Sequence, residues 1–299
     1  GDDPVALRAA GEEALREIEH LNARLSLYRP DSDISRINAR AAKEPVRVEP
    51  QLFRLLQQAQ QLHRETGGVF DITIAPLMRV WGFMGGTGRL PDAPDLAEAR
   101  ARVGMQHVEL DERGFTIRFT RAGVMLDLGS IGKGYALDRA AELLREAGVT
   151  SALLHGGTST VYALGGPPGE DQWKIAVPHP AAGQQQKLAH TGLAATDIVA
   201  TVPLRDESLS VSAVWGKSFE AGGRVYGHII DPRTGEPTHG AVLAAVCLPS
   251  GTETDAFSTA LLTLGAAGQP RLAQLRPGLR SLVLETDPSG AIHVARAGI

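Results

Sequence analysis

Leu126-Asp127-Leu128-Gly129-Ser130-Ile131-Gly132-Lys133-Gly134-Tyr135 carries an apolar run into a glycine-rich loop that opens a helix. Glycine lets a backbone approach a ligand closely, and the free N–H groups at a helix start attract anions. Lys133 adds a positive charge at that point, although a solvated lysine on a tight turn gives the same local pattern. The glycine spacing is neither that of a P-loop nor that of a dinucleotide fingerprint. The loop therefore gives no reason to expect a doubly wound nucleotide-binding sheet. On its N-terminal side, residues 108–128 read as two or three strands, with Thr116, Ile117 and Phe119 and then Val124, Met125 and Leu126 supplying strand-forming side chains. On its C-terminal side a helix over 135–147 ends at Gly148, and an apolar strand over 151–154 runs into Gly156-Gly157. Strands and helices mix without strict alternation, which favours an α+β fold.

The flanking regions extend this reading. Leu7, Ala14, Leu15, Ile18 and Leu21 recur at helical spacing over 4–23. A polar turn over 26–33 follows, and Ser32 or Asp33 can cap the short helix that holds Ile34 and Ile37. A second helix over 50–66 stops at Gly67-Gly68. Residues 82–94 read as a surface loop and 165–172 as a turn, and 181–191 are polar and exposed in character. The last third alternates strands and loops around one helix over 254–264. No repeat is present, so a single domain over 1–299 is expected, with room for two lobes.

Composition sets limits on function. Of the 299 residues 43% are hydrophobic and 21% charged, as in an ordinary folded chain, and the net charge of −4 offers no basic face for a nucleic-acid partner. One cysteine, Cys247, lies in the run Ala244-Ala245-Val246-Cys247-Leu248 and reads as a small buried hydrophobe on a strand. No apolar run approaches the ~20 residues that span a bilayer. The opening Gly1-Asp2-Asp3-Pro4 is not a secretory signal.

Three further segments carry candidate chemistry. In Glu253-Thr254-Asp255-Ala256-Phe257-Ser258-Thr259-Ala260, a helix would put Asp255 and Thr259 on one face at i and i+4. Their oxygens suit a hard cation such as Mg²⁺. Equally, an acid suits a first helical turn, and a helical Thr can bond back to the i−4 carbonyl. In Tyr226-Gly227-His228-Ile229-Ile230-Asp231-Pro232-Arg233-Thr234-Gly235, His228 titrates near neutrality and can act as a general base, or it is an ordinary strand residue before a turn that Asp231 starts. In Gly67-Gly68-Val69-Phe70-Asp71-Ile72-Thr73, followed by Trp81-Gly82-Phe83, Asp71 either caps the next helix or holds a polar group of a ligand. His63 is expected on a helix surface and His155 in a structural role. The remaining histidines show no metal-ligand spacing.

Taken in order, these segments, together with Leu25-Ser26-Leu27-Tyr28-Arg29-Pro30-Asp31-Ser32 and Asn38, resemble the ApbE-type FAD:protein FMN transferases, once called thiamine-biosynthesis lipoproteins. The match runs over nearly the whole chain. It implies an α+β, T-fold-like arrangement of mixed sheets flanked by helices, with FAD in a cleft. By similarity, Ser26, Tyr28, Phe70, Asp71 and Ile230 would line the flavin nucleotide site, and Gly129, Lys133 and Tyr135 would lie along the FAD. Mg²⁺ would take side-chain oxygens from Asp255 and Thr259 and carbonyls from Gly132 and Ser258. His228 would be the base. The implied reaction moves FMN from FAD to a Thr or Ser hydroxyl of an acceptor flavoprotein and releases AMP. The family habit implies an extracytoplasmic location, periplasmic or lipid-anchored, with no anchor in this chain. The alternatives are an FAD pyrophosphatase and a flavin-binding protein without catalysis.

The chain departs from the family pattern in three places, and it lacks an acceptor motif of its own. No strand with Met-Gly-Thr precedes Gly1, which leads to an expectation of weakened FAD binding. Thr158 stands where Asp or Asn is common. Leu209-Ser210-Val211-Ser212-Ala213-Val214-Trp215 replaces the usual Ala-Thr-Ser-Gly. No acceptor motif of the Asp-x-x-Ser/Thr-Gly-Ala-Thr kind is present, so the modified protein is expected to be another chain.

Overall fold

The computed structural model describes residues 3–179, 198–214, 216–287, 289 and 291–299. The polar segment expected over 181–191 lies outside them. Helices α1 (Pro4–Leu25), α2 (Asp33–Arg40) and α3 (Pro50–Thr66) begin at sequence-encoded caps or prolines. Asp3 accepts the N–H groups of Val5 and Ala6, Ser32 accepts that of Ser35, and Pro50 opens α3. Helix α3 stops because Gly67 takes the left-handed conformation, φ 69°. Two short helices follow, α4 (Ala75–Val80) and α5 (Ala93–Arg100). The end of the expected 82–94 loop belongs to α5: Asp92 caps it through the Asp95 N–H, and its proline sits in the first turn, where a missing N–H costs nothing.

The short strand β1 (Val46–Arg47) pairs with β3 (Thr116–Phe119), which also pairs with β2 (Val108–Asp111). The third strand expected near 124–126 does not form as such. It touches one neighbour in a single parallel bridge, Ile74 to Met125. The Asn38 amide accepts from the Leu126 N–H at 2.7 Å and donates to its carbonyl at 3.0 Å. One side chain thereby satisfies both backbone groups that a partner strand would have used.

Helix α6 (Gly132–Glu146) leads into the main sheet. That sheet is built from β4 (Ala152–Gly156), β5 (Thr160–Leu164), β8 (Glu207–Ala213), β11 (Ala241–Leu248), β12 (Arg280–Thr286) and β13 (Ile292–Ala297). Its order is β13-β12-β11-β8-β5-β4, antiparallel throughout. Two ribbons, β6 (Trp173–Pro178) with β7 (Ile198–Leu204) and β9 (Ser218–Ala221) with β10 (Arg224–Gly227), stand apart from it. Helices α7 (Gly251–Leu264) and α8 (Gln269–Leu275) come between β11 and β12. This is an α+β architecture. Side-chain alternation along β11 separates two cores: Ala244, Val246 and Leu248 pack with Phe257 and Leu261 of α7, whereas Leu243, Ala245 and Cys247 face Val177 and Val202 of the β6–β7 ribbon. Helices α6 and α7 pack against each other, and a cavity opens beside them.

Candidate active site

Two helices meet where the glycine loop ends. Gly134 in the first turn of α6 donates its N–H to Asp255 Oδ2 of α7 at 3.1 Å. A Cβ on Gly134 would stand 1.9 Å from the Gly251 carbonyl oxygen, so only glycine allows this approach. Helix α6 accordingly starts at Gly132, ahead of the expected Tyr135, because packing against α7 outweighs the poor helix propensity of glycine. Asp138, one turn on, accepts from Gly251 N at 2.6 Å and from Thr252 N and Oγ1 at 2.8 and 2.7 Å, tying the start of α7 to α6.

Asp255 is buried, at 3% exposure, and lies against a set of hydroxyls. Its Oδ1 accepts from Ser210 at 3.2 Å and from Thr160 at 3.5 Å, and the Lys133 ammonium stands 3.6 Å away. Lys133 also donates to the Gly129 carbonyl at 3.1 Å. Ser212 links Ser258 (2.8 Å) and Thr259 (3.3 Å), and Thr259 bonds back to the Asp255 carbonyl at 3.3 Å. Ser210 and Ser212 reach α7 because β8 alternates. Its even-numbered serines face the helix, while Leu209 and Val211 face the second core.

A cavity of about 780 Å³ opens over this floor. Its polar lining includes Tyr28, Asp71, Asp127, Lys133, Lys217, His228, Asp255 and Thr259, with the Gly129 backbone, and its apolar lining includes Val161, Ile175, Leu209, Val211, Ile230 and Leu243. The volume lies in the range of small-molecule and cofactor sites. Burial pushes the Asp127 carboxyl up, against the Gly129 N–H and the charges of Lys217 and Lys133. Burial also raises the Tyr28 phenol, and the nearby Asp127 charge adds to the effect.

His228 follows β10. Its Nδ1 lies 3.2 Å from the Lys217 carbonyl, to which its backbone N–H also donates. A carbonyl only accepts, so Nδ1 carries the proton and Nε2 the lone pair. Burial, aided by the charges of Lys217 and Lys133, lowers its pKa. The neutral imidazole therefore dominates at pH 7. Trp81 fixes the turn beyond it by donating Nε1–H to the Gly235 carbonyl at 2.8 Å.

Ser26, Phe70, Gly132, Tyr135 and Ser258, also expected from the sequence, are not among the residues that line the cavity. Ser26 accepts the Tyr28 N–H at 3.2 Å and shapes the turn that presents Tyr28. Phe70 is buried in the first core, and Tyr135 packs against that core from its edge. Gly132 is held in the first turn of α6, its N–H on the Leu128 carbonyl, and Ser258 is fully buried, donating to Ser210 at 3.2 Å. Asp71 does not cap α4, whose N-cap is Ile74. It accepts from Thr73 N (2.7 Å) and Oγ1 (2.6 Å) and faces His63 Nδ1 at 3.1 Å. His63 is thus not a surface residue, since the glycine stop of α3 turns the chain back and brings Asp71 beside it. The serines of β8, Lys217 and His63 are additions that the sequence reading lacked. The period-two spacing of Ser208, Ser210 and Ser212 was the available signal for the first group.

Among the described residues no group of three or more His, Cys, Asp or Glu forms a metal cluster. The donors around Asp255 are one carboxylate, hydroxyls and carbonyls. An all-oxygen set with a single carboxylate fits Mg²⁺, which keeps positions for water and phosphate, and does not fit zinc.

Comparisons with known proteins identify the chain's relatives. The model of the ApbE family matches residues 4–283. An FAD:protein FMN transferase of Treponema pallidum is 30% identical over 296 residues, covering 94% of this chain and 78% of that protein. One of Vibrio cholerae is 29% identical over 281 residues, covering 91% and 78%. Among solved structures, the flavinyl transferase ApbE of Pseudomonas stutzeri in its apo form superposes with a TM-score of 0.82 at 30% identity, over 97% of this chain and 86% of that one. The ApbE protein of Thermotoga maritima gives 0.84 at 26% identity, over 97% and 89%.

Proposed function

The chain belongs to the ApbE family and is an FAD:protein FMN transferase by its relatives; starting from that membership, we propose that it moves FMN from FAD to a Thr or Ser hydroxyl of a partner protein and releases AMP, with Mg²⁺ bound. The observation that carries this reading is the pairing, in one cavity, of a histidine held with Nε2 as its lone-pair nitrogen and a buried carboxylate ringed by hydroxyls. Asp255 and Thr259 would hold the metal through their side-chain oxygens, with backbone carbonyls such as those of Gly132 and Ser258 completing the set. When bound, Mg²⁺ would neutralise charge on the pyrophosphate and act as a Lewis acid.

The chain's own residues account for the rest. His228 Nε2 takes the proton of the acceptor hydroxyl. The hydroxyl oxygen bonds to the FMN phosphorus in line, and the bond to the AMP phosphate breaks with its electron pair leaving on AMP. Lys133 holds negative charge near Asp255. The apolar lining offers water no hydrogen-bond partners, which disfavours its attack in place of the hydroxyl.

The partner is a separate protein with a Thr or Ser acceptor, and the net charge of −4 supports a function without nucleic acid. We place the protein outside the cytoplasm on family habit. No helix among the described residues is long and apolar enough to cross a membrane.

The test is FAD turnover with Mg²⁺, with and without an acceptor peptide, for the wild type and Asp255→Ala. Metal stabilisation is worth several kcal/mol, so the substitution should cut AMP release by about 100-fold or more. Labelled peptide identifies transfer, and AMP without label identifies hydrolysis. Bound FAD with no AMP under any condition would overturn the catalytic reading.

A further inference from the structure

Lys217 lines the cavity just before β9, and its backbone carbonyl is the acceptor that orients His228. Its ammonium stands over the Tyr28 ring, 5.8 Å from the centroid. That distance is within the range of a cation–π contact, which here holds a flexible side chain at the wall of the cleft. The two cavity lysines are engaged differently. Lys133 is held by the Gly129 carbonyl and by Asp255. For Lys217, the contacts among the described residues are the Tyr28 ring and its own carbonyl's bonds to His228. Among the described residues it forms no ion pair. Asp127 feels its charge from a distance but does not pair with it. A lysine ammonium held by an aromatic face, beside a base that its charge disfavours protonating, is an arrangement that a bound anion would complete.

We propose that Lys217, held over Tyr28, is a catalytic residue that contacts the pyrophosphate of FAD from the Tyr28 side of the cleft, separately from Lys133 and Asp255. This rests on the transferase reading above. The pyrophosphate carries negative charge on binding, and further charge collects on the AMP phosphate as the bond to the FMN phosphorus breaks and takes its electron pair to AMP. A fixed cation there is worth more in the transition state than in the ground state. Its loss therefore acts on kcat more than on KM. Nothing in the local sequence marks this residue, because it becomes a cavity residue only when the β9–β10 ribbon folds beside Tyr28.

The experiment measures AMP release against FAD concentration at saturating Mg²⁺, from pH 5.5 to 9, for the wild type, Lys217→Met and Lys217→Arg, with thermal unfolding as the fold check. Lys217→Met is expected to lower kcat/KM by about 10- to 100-fold, mostly through kcat, as for one charge-assisted contact. Lys217→Arg should recover most of the loss. The acid limb of the Lys217→Met profile should also move to higher pH, because the charges facing His228 come from Lys217 and Lys133 and only Lys133 remains. Wild-type kinetics within twofold for Lys217→Met would overturn the proposal. So would an arginine variant as impaired as the methionine one, since that outcome assigns the effect to packing. If the wild type itself releases no AMP, the transferase reading fails on its own. FAD affinity by flavin fluorescence then judges Lys217: weaker binding for the methionine variant alone upholds the contact, and equal binding for all three removes it.

Discussion

His228 and His63 show how one residue type is driven in opposite directions by its neighbours. Burial and two lysine charges lower the pKa of His228. The neutral base is therefore expected to persist below the ordinary histidine value of about 6.5. AMP release should be level in kcat/KM from pH 8 down to that point and fall only at more acid pH. An acid limb at or above about 6.5 would argue against His228 as the base, and His228→Asn should cost about 100- to 10,000-fold. For His63, burial works against the charged form, but the hydrogen bond and charge of Asp71 outweigh it, and the pKa is raised. A raised folded pKa gives stability that is fully present below the unfolded value of about 6.5 and is lost as pH rises through the folded value. The His63 side chain is 20% exposed and that of Asp71 1%. His63→Gln should therefore cost about 1–3 kcal/mol at pH 5.5, and the gap to wild type should narrow at pH 8.5, read by urea unfolding. An equal gap at both values would mean that the pair is not ionic. Asp255, Thr259 and His228, which the fold brings to one cavity, could be singled out in the sequence through the ordered set of segments, since each segment alone also had a structural reading. His63 could not, because its partner lies beyond a glycine stop, and helical periodicity says nothing about where the chain goes after α3.

The contact between α6 and α7 is where local preference and packing conflict most openly. Glycine is a poor helix former, yet Gly132 and Gly134 stand in the first turn of α6 and Gly251 opens α7. The two backbones approach so closely that a Cβ on Gly251 would meet the Gly134 carbonyl oxygen at 2.8 Å and Asp138 Oδ1 at 2.9 Å. Gly134→Ala removes the approach and with it the N–H that orients Asp255. The expected outcome is a loss of about 1–3 kcal/mol from overpacking together with weakened Mg²⁺ binding, read by thermal unfolding and by titration with the metal. A variant that keeps both stability and metal affinity would show that the helices separate without cost. Helix existence and type could be read from periodicity here, but the start of α6 could not. Glycines read locally as a loop, and what places them in a helix is α7, 117 positions further along for Gly251 relative to Gly134. The same holds for β8. The sequence showed that the family pattern had changed over 209–215, and only the register against α7 shows that Ser210 and Ser212 bring hydroxyls to Asp255 and Thr259.

Strand β11 joins the two halves of the molecule, because the residues on its two faces belong to different cores. Opening either core exposes the strand that also covers the other, so the cores should unfold together rather than as independent lobes. Cys247 lies on this strand, fully buried on the face toward the β6–β7 ribbon. Burial pushes its thiol up to about 12, so it is doubly protected, by the lack of access and by the lack of thiolate. It is the chain's one cysteine, which makes it a reporter without engineering. In native buffer at pH 8 the thiol should resist a disulfide reagent for hours, because labelling requires an opening whose free energy is of the order of the global stability, about 5–15 kcal/mol. In urea, labelling should appear at the midpoint at which far-UV circular dichroism is lost. Rapid labelling of the native protein, or labelling that leads the loss of helix, would mean that the ribbon lifts from the sheet on its own. Since Val161, Leu209, Val211 and Leu243 both pack in that second core and line the cavity, such lifting would also open the apolar lining of the candidate site. FAD should then slow the labelling in proportion to its occupancy, which ties the stability of the whole sheet to the chemistry beside it.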